Sequence, residues 1–405
     1  MKLSKFPRLC KAIFMLSAAE VYVATFGRKY LKKNIWIVGE KKTEARDNGY
    51  HFFKYLRSEH PEINSYYVIK KGSSDSEKVQ KIGPTIDFDS FKHCIYYAAA
   101  KVRACSQIHG VQPFEDIAGI RHLRIFIRKD QRHINLKHGI TKDFRPSAFD
   151  FRKAGFDLYV SGAKPEYEEI KKQYNYPDKN IVLSGFCRFD ALHGLPDPEK
   201  IILVMPTFRD WLRTSDSSKK AADDTEMARF KESEYYKTYK TMLTDDNLLN
   251  TARSKGYRIL FYLHYTFQPY TPAFAEFGND VVTVCGRNDY DVQKLLVSSA
   301  MLVTDYSSVF FDYGYMMKPM VFCQFDLNEY REKHYKEGYF SYERDAFGPI
   351  TYNIDDALAY VIKMLNNDLI MEEEYRKRAE RFFIPHDNKN CERVYNAILR
   401  LDSEE

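Results

Sequence analysis

Val303-Thr304-Asp305-Tyr306-Ser307-Ser308-Val309-Phe310-Phe311-Asp312-Tyr313 is the stretch whose reading decides the fold. Ala300 to Val303 is an apolar run of strand length. It breaks into a polar turn with paired hydroxyls and resumes as an apolar helix through Met317. That switch puts Ser307 and Ser308 at a helix N-terminus, where backbone N–H groups and the positive dipole end favour an anion. A phosphate or diphosphate is the expected occupant. The plainer alternative is that the serines only cap the helix.

Strand-like runs alternate with helical stretches on the N-terminal side of this turn. Strands are expected at Ile35–Gly39, Tyr66–Ile69, Val102–Ser106, His133–Lys137, Leu158–Ser161 and Ile181–Ser184, with helices such as Asn48–Glu59 and Pro165–Tyr174 between them. Alternation of this kind implies parallel pairing. Leu195-Pro196-Asp197-Pro198 suits a hinge, and a second series follows: Ile201–Met205, Arg258–Leu263, Val281–Val284, Met301–Thr304 and Met320–Cys323. Helices are expected at Val309–Met317, Ile354–Leu365, Ile370–Phe382 and Asn390–Leu401. Arg213 to Phe230 is polar and reads as a surface loop. The fold class is therefore α/β, two Rossmann-like domains facing a cleft with C-terminal helices. The expected divisions are 1–33, 34–194 and 195–405.

In open α/β sheets, ligands gather beyond the carboxyl ends of the strands. Three further polar clusters sit there beside the serine turn. They are Leu136-Lys137-His138-Gly139-Ile140-Thr141, Met205-Pro206-Thr207-Phe208-Arg209-Asp210-Trp211 and Phe261-Tyr262-Leu263-His264. Thr207 and Arg209 would make a hydroxyl-plus-guanidinium anion clamp. Arg209-Asp210 could equally be an ordinary ion pair. His264 ends an apolar strand, where an imidazole otherwise has little reason to be buried. One such cluster means little; four at equivalent positions argue for a site.

Composition narrows the class of ligand. The 405 residues carry a net charge of +6, with 44% hydrophobic and 29% charged residues. That describes a folded chain able to meet phosphorylated ligands or an anionic membrane, and no arginine-rich run points to nucleic acid. Seven cysteines are scattered without a Cys-x-x-Cys pair, which reads as free thiols in a reducing compartment. Residues 1–33 read as an amphipathic membrane-surface helix flanked by Lys and Arg, or as a helix packed on the first domain. The apolar run is too short to span a bilayer.

Taken together, His138-Gly139, Pro206-Thr207-Phe208-Arg209-Asp210, the His264 strand end and Thr304–Tyr313 with Lys318-Pro319 resemble the CDP-glycerol glycerophosphotransferase family of teichoic-acid primases and polymerases. Gly185-Phe186-Cys187-Arg188-Phe189-Asp190, Asp326-Leu327-Asn328-Glu329-Tyr330, Gly348-Pro349-Ile350 and Cys391-Glu392-Arg393-Val394 extend the likeness from about Ile35 to the C-terminus. The family's histidine motif usually reads Trp-His-Gly-Thr-Pro, and its arginine motif carries Trp where Phe208 stands. Both departures bear on acceptor identity.

The resemblance implies a GT-B enzyme, and the N-terminal helix with its basic flanks is what places it at the cytoplasmic membrane face, bound peripherally. It would move glycerol phosphate or another polyol phosphate from CDP-glycerol or CDP-ribitol to a hydroxyl of a lipid-linked or oligosaccharide acceptor, releasing CMP in teichoic-acid or capsule biosynthesis. On that reading His138 is the general base and His264 assists the leaving CMP. Thr207, Arg209, Ser307 and Ser308 hold the diphosphate, and Asp210, Asp305 and Asp312 join the donor-binding set. No Asp-x-Asp triplet marks a metal-dependent nucleotide-sugar site, so no essential metal or cofactor is expected. The rivals are a GT-B glycosyltransferase using a nucleotide sugar and a nucleotide-sensing scaffold without turnover.

Overall fold

Ile35-Trp36-Ile37-Val38-Gly39 forms strand β1 (Ile35–Gly39) and is buried at every position. Burial of successive residues on opposite faces requires cover on both sides, as in a parallel sheet between helices. The computed structural model describes residues 6–108, 111–115, 117, 130–143, 149–287, 289–333 and 337–403. These fall into two compact units: 1–140 with 145–191 and 385–405, and 141–144 with 192–384.

In the first unit, β1 is joined by β2 (Asn64–Ile69), β3 (Thr85–Asp87), β4 (Val102–Cys105), β5 (Arg132–Asn135), β6 (Leu158–Ser161) and β7 (Ile181–Leu183). Their order is β3-β2-β1-β4-β5-β6-β7, all parallel. The second unit repeats the scheme with β8 (Glu199–Val204), β9 (Arg258–Tyr262), β10 (Val282–Cys285), β11 (Ser299–Thr304), β12 (Met320–Cys323) and β13 (Ile350–Thr351). The order there is β10-β9-β8-β11-β12-β13, also parallel. Strand addition reverses direction between β1 and β4, and again between β8 and β11. Such reversal opens a crevice at the carboxyl ends, where open α/β sheets bind ligands. Two α/β units with a helical C-terminus match the expected fold class.

Element ends differ from expectation for local reasons. β5 stops at Asn135 because Lys137 takes φ +60. The helix after the serine turn runs only from Phe310 to Tyr315, and Met317 at φ +55 closes it. The expected loop at Arg213–Phe230 contains a helix, Asp224–Glu232. A capping box between Asp223 and Glu226 starts it. Phe230 anchors it by stacking on Tyr270 at 3.9 Å.

The C-terminal helix Asn390–Ser403 belongs to the first unit, whereas the expected boundary put all of 195–405 in the second. Asp190 holds it there, accepting from the backbone N–H groups of Asn390 and Cys391 at 2.8 Å each. Gly185 makes room: it sits at φ +77, and a Cβ there would lie 2.0 Å from Asn390 Oδ1. The N-terminal helix Phe6–Thr25 buries Ala12, Leu16, Ala19 and Val23 against Cys94, Ile95 and Ala99. Its other side leaves Phe14 73% and Val21 62% exposed. No helix among the described residues is long and apolar enough to cross a membrane.

The cysteines are all free; six are buried and Cys10 is exposed. Burial pushes the thiols of Cys94, Cys285 and Cys323 up to about 12, which removes them as nucleophiles at neutral pH.

Candidate functional site

In the second unit, the ends of β8 and β11 lie side by side, with Leu203 opposite Leu302 and Val204 opposite Val303. The hydroxyl of Thr304 donates to the Met205 carbonyl at 2.8 Å, locking the two loop starts together. Asp305 then accepts from the backbone N–H groups of Thr207 at 2.8 Å and Tyr306 at 2.5 Å. One carboxylate so sets the course of both loops.

Arg209 is 0% exposed. Its Nε donates to Asp326 Oδ2 at 2.5 Å and its Nη2 to Asp326 Oδ1 at 3.0 Å. Nη1 lies 2.9 Å from Asp305 Oδ2 and donates to the Thr207 carbonyl at 2.7 Å. The guanidinium is packed among the rings of Tyr235, Tyr306, Phe325 and Tyr330. Burial works against the charge, but Asp305 and Asp326 outweigh it and hold Arg209 well above its usual value. The expected clamp thus divides. Arg209 faces two carboxylates and braces the loop, because a charge buried this deeply is stable only when paired. The Thr207 hydroxyl is left out of that brace: the residue is 7% exposed, and its Oγ1 has no hydrogen-bond partner among the described residues.

The serine turn stands beside this brace. Ser307 is half-buried and Ser308 exposed. The backbone N–H groups of Ser307, Ser308 and Val309 meet no acceptor among the described residues. A helix of six residues has a small dipole, so these N–H groups, more than the axis behind them, would attract an anion. Asp312 is buried in that helix. Asp210 lies apart from the brace, 3.1 Å from Arg213 with both side chains partly exposed.

His264 follows β9, half-buried, with its ring 4.7 Å from that of Phe208, the neighbour of Thr207. Its Nδ1 accepts from the Thr266 backbone N–H at 3.3 Å. That assigns the proton to Nε2 in the neutral form. Thr266 was not singled out from the sequence. It is 4% exposed with an Oγ1 that has no partner among the described residues, a buried hydroxyl of the same kind as Thr207.

His138 belongs to the first unit and is exposed. The chain reaches it through Lys137, whose backbone N–H donates to Asn135 Oδ1 at 3.0 Å. The Lys137 ammonium lies 3.9 Å from the centre of the Phe149 ring. Asn48 Nδ2 donates to the Lys137 carbonyl at 2.8 Å, and Arg188 Nη1 donates to the His138 carbonyl at 3.2 Å and to Asp47 Oδ1 at 3.0 Å. The Arg188 backbone N–H closes the ring on Asn48 Oδ1 at 2.9 Å. Asp47 and Asn48 escaped sequence reading, although they form the cap and start of a helix. Arg188 was visible only as part of a resembling motif. Nearby Glu40 is buried, and burial and then Asp47 push its carboxyl up to about 8.

Among the described residues no group of three or more His, Cys, Asp or Glu side chains could hold a metal ion. A family model described as CDP-Glycerol:Poly(glycerophosphate) glycerophosphotransferase matches residues 21–400. The minor teichoic acid biosynthesis protein GgaB of Bacillus subtilis (strain 168) is 33% identical over 92% of this chain and 40% of its own length. A teichoic acid poly(glycerol phosphate) polymerase of the same strain is 23% identical over 86% of this chain and 46% of its length. The chain thus spans less than half the length of these curated relatives. Among solved structures, the wall teichoic acid polymerase TagF shares the fold with TM-score 0.69 and 18% identity, covering 100% of this chain and 99% of that one. A putative UDP-N-acetylglucosamine 2-epimerase from Listeria monocytogenes follows at TM-score 0.56 and 14% identity, covering 92% and 97%.

Proposed function

On the premise that this chain belongs to the CDP-glycerol:poly(glycerophosphate) glycerophosphotransferase family, we propose that it transfers a polyol phosphate, glycerol phosphate first among them, from a CDP-linked donor to an acceptor hydroxyl. The acceptor would be a lipid-linked or polymeric cell-surface glycan, and CMP would leave. The observation that carries this reading is the pair of loop ends after β8 and β11. They offer a buried unpartnered Thr207 hydroxyl and three open N–H groups at the reversal point of the sheet. A buried hydroxyl without a partner costs about 1–3 kcal/mol, which a diphosphate oxygen would recover. TagF, of the same fold, has been determined after soaking with CDPG.

In the proposed step the acceptor oxygen attacks the phosphorus that bears the polyol. The new P–O bond forms as the bond to the CMP oxygen breaks, and that oxygen keeps the electron pair. His138 takes the acceptor proton, and Nε2–H of His264 donates to the departing phosphate. Thr207, Ser307 and Ser308 hold the diphosphate oxygens. Arg209 and Asp305 act through Thr207 as positioning groups, while Asp210 and Asp312 serve the donor's hydroxyls. We propose that no metal is needed; turnover that vanished with chelator and returned with Mg²⁺ would overturn this.

Exposed Phe14 and Val21 on a helix among basic residues support peripheral attachment to the cytoplasmic membrane face. Vesicle flotation comparing the parent with Phe14→Asp would check it. The main test is a donor panel of CDP-glycerol, CDP-ribitol and UDP-sugars, with product mass read alongside. Release of CMP with a gain of polyol phosphate is expected. Release of UDP with a glycosidic product would make the chain a glycosyltransferase, and binding without any release would make it a sensor.

A further inference from the structure

A groove of about 910 Å³ lies in the second unit, away from Thr207 and the serine turn. It follows β10, which ends the strand order of its sheet and has a strand partner on one side only. Thr283 of β10, with Asn279 before it and Gln268, is among the residues that line the groove. Over β10 itself, Val282–Cys285, the chain advances roughly 10 Å, at about 3.3 Å per residue. Lys219, Lys220 and Arg287 supply three cations to the described lining, which contains no carboxylate. Two carboxylates stand at its margin: Asp216 accepts from Ser218 and interacts with Lys219 and Arg287, and Asp289 accepts from the Gly286 N–H.

One end of the groove is tied to the candidate site. Arg287 Nη2 donates to the Tyr265 carbonyl at 3.0 Å, one residue beyond His264, and also to the Ser217 carbonyl beside the lysines. An open cationic trough lined by amides and hydroxyls suits a chain of alternating phosphodiesters and polyols. An extended peptide would pair with the strand edge but would leave the cations unmatched.

We propose that this groove is a binding site for the polyol-phosphate polymer, which lies along β10 with its phosphates near Lys219, Lys220 and Arg287 and its growing end toward His264. The inference rests on the transfer reaction proposed above. It adds a place where the acceptor chain is held outside the reacting centre. Such a site raises the local concentration of the growing end and so favours long acceptors over short ones.

The test uses the full chain and a fluorescent synthetic oligo(glycerol phosphate) longer than the groove, without donor, at two salt concentrations. The parent should bind, and Lys219→Glu with Lys220→Glu should weaken binding about tenfold or more and flatten the salt dependence. Thr283→Trp fills the groove without altering charge and should weaken binding as well. With CDP-glycerol present, both variants should show a raised KM for the polymer but an unchanged KM for donor and unchanged turnover of a single-unit acceptor. Parental polymer binding in both variants overturns the proposal. So does loss of binding to phosphatidylglycerol vesicles with polymer binding intact, which would make the groove a membrane contact. Failure of the donor panel would sink the transfer reaction itself and leave this binding measurement readable on its own.

Discussion

Apart from the additional edge strand β7, the two sheets share one strand order, yet the loops beyond their strand ends are furnished in opposite ways. In the second unit the charges are spent internally. Arg209, Asp305 and Asp326 are buried against one another, and what faces outward is neutral: hydroxyls and backbone N–H groups. In the first unit Asp47 and Arg188 close a ring around a loop that ends in an exposed imidazole. Neutral donors fixed by a buried brace suit an anion whose charge changes little on binding. An exposed histidine on an anchored loop suits a proton. A common strand order thus carries different polar groups, and the difference lies in which side chains are consumed by the fold.

The sharpest way to break that comparison is to remove the imidazole. His138→Ala should lower turnover by about 10²- to 10⁴-fold, the usual worth of a general base, with donor affinity unchanged. Parental turnover would erase the assignment of proton chemistry to the first unit. Next in size is the brace. Asp326→Ala leaves Arg209 with one carboxylate, and the urea midpoint should show a loss of about 3–5 kcal/mol. A loss below 1 kcal/mol would mean that Arg209 is not held as described.

Acid should separate the two units. His93 in the first unit is fully buried, and its Nδ1 accepts from the Asp89 N–H. Burial lowers its pKa to about 4. The folded chain thus keeps it neutral while the unfolded chain takes up a proton below about 6.5. Its stabilising contribution is complete above that value and declines as pH falls toward 4, by about 2 kcal/mol at pH 5. Hydrogen exchange at pH 7 and 5 should show the first unit weakening more, and His93→Gln should reduce the gap. The smallest effect sharpens the picture most. Thr207→Val removes an unpartnered buried hydroxyl, so stability should hold or rise slightly while donor affinity drops about five- to tenfold. A variant that bound donor like the parent would show that Thr207 does not meet the diphosphate.

Much of this arrangement was legible in the residues. Apolar runs such as Ile201–Met205 and Ala300–Val303 declare buried parallel strands, and the polar groups that interrupt them mark the strand ends. Short or polar elements gave no such signal. β3 is three residues long, and Asp224–Glu232 carries one buried apolar anchor, Phe230. The site divided in the same way. The strand-end positions of Thr207 and the serines can be read from sequence, but the pairing of Arg209 cannot, because its partner Asp326 lies 117 residues away.

What the order of residues determined alone was periodicity: where strands stop, where hydroxyls and imidazoles fall, and hence the class of fold. Tertiary structure decided which of those groups remain available. A guanidinium and two carboxylates near one another in the interior must pair, since an isolated buried charge is too costly, and pairing withdraws them from any ligand. It also assigned the last helix, Asn390–Ser403, to the first unit, through contacts between Asp190 and Asn390 that span 200 positions of chain and that local patterning does not encode.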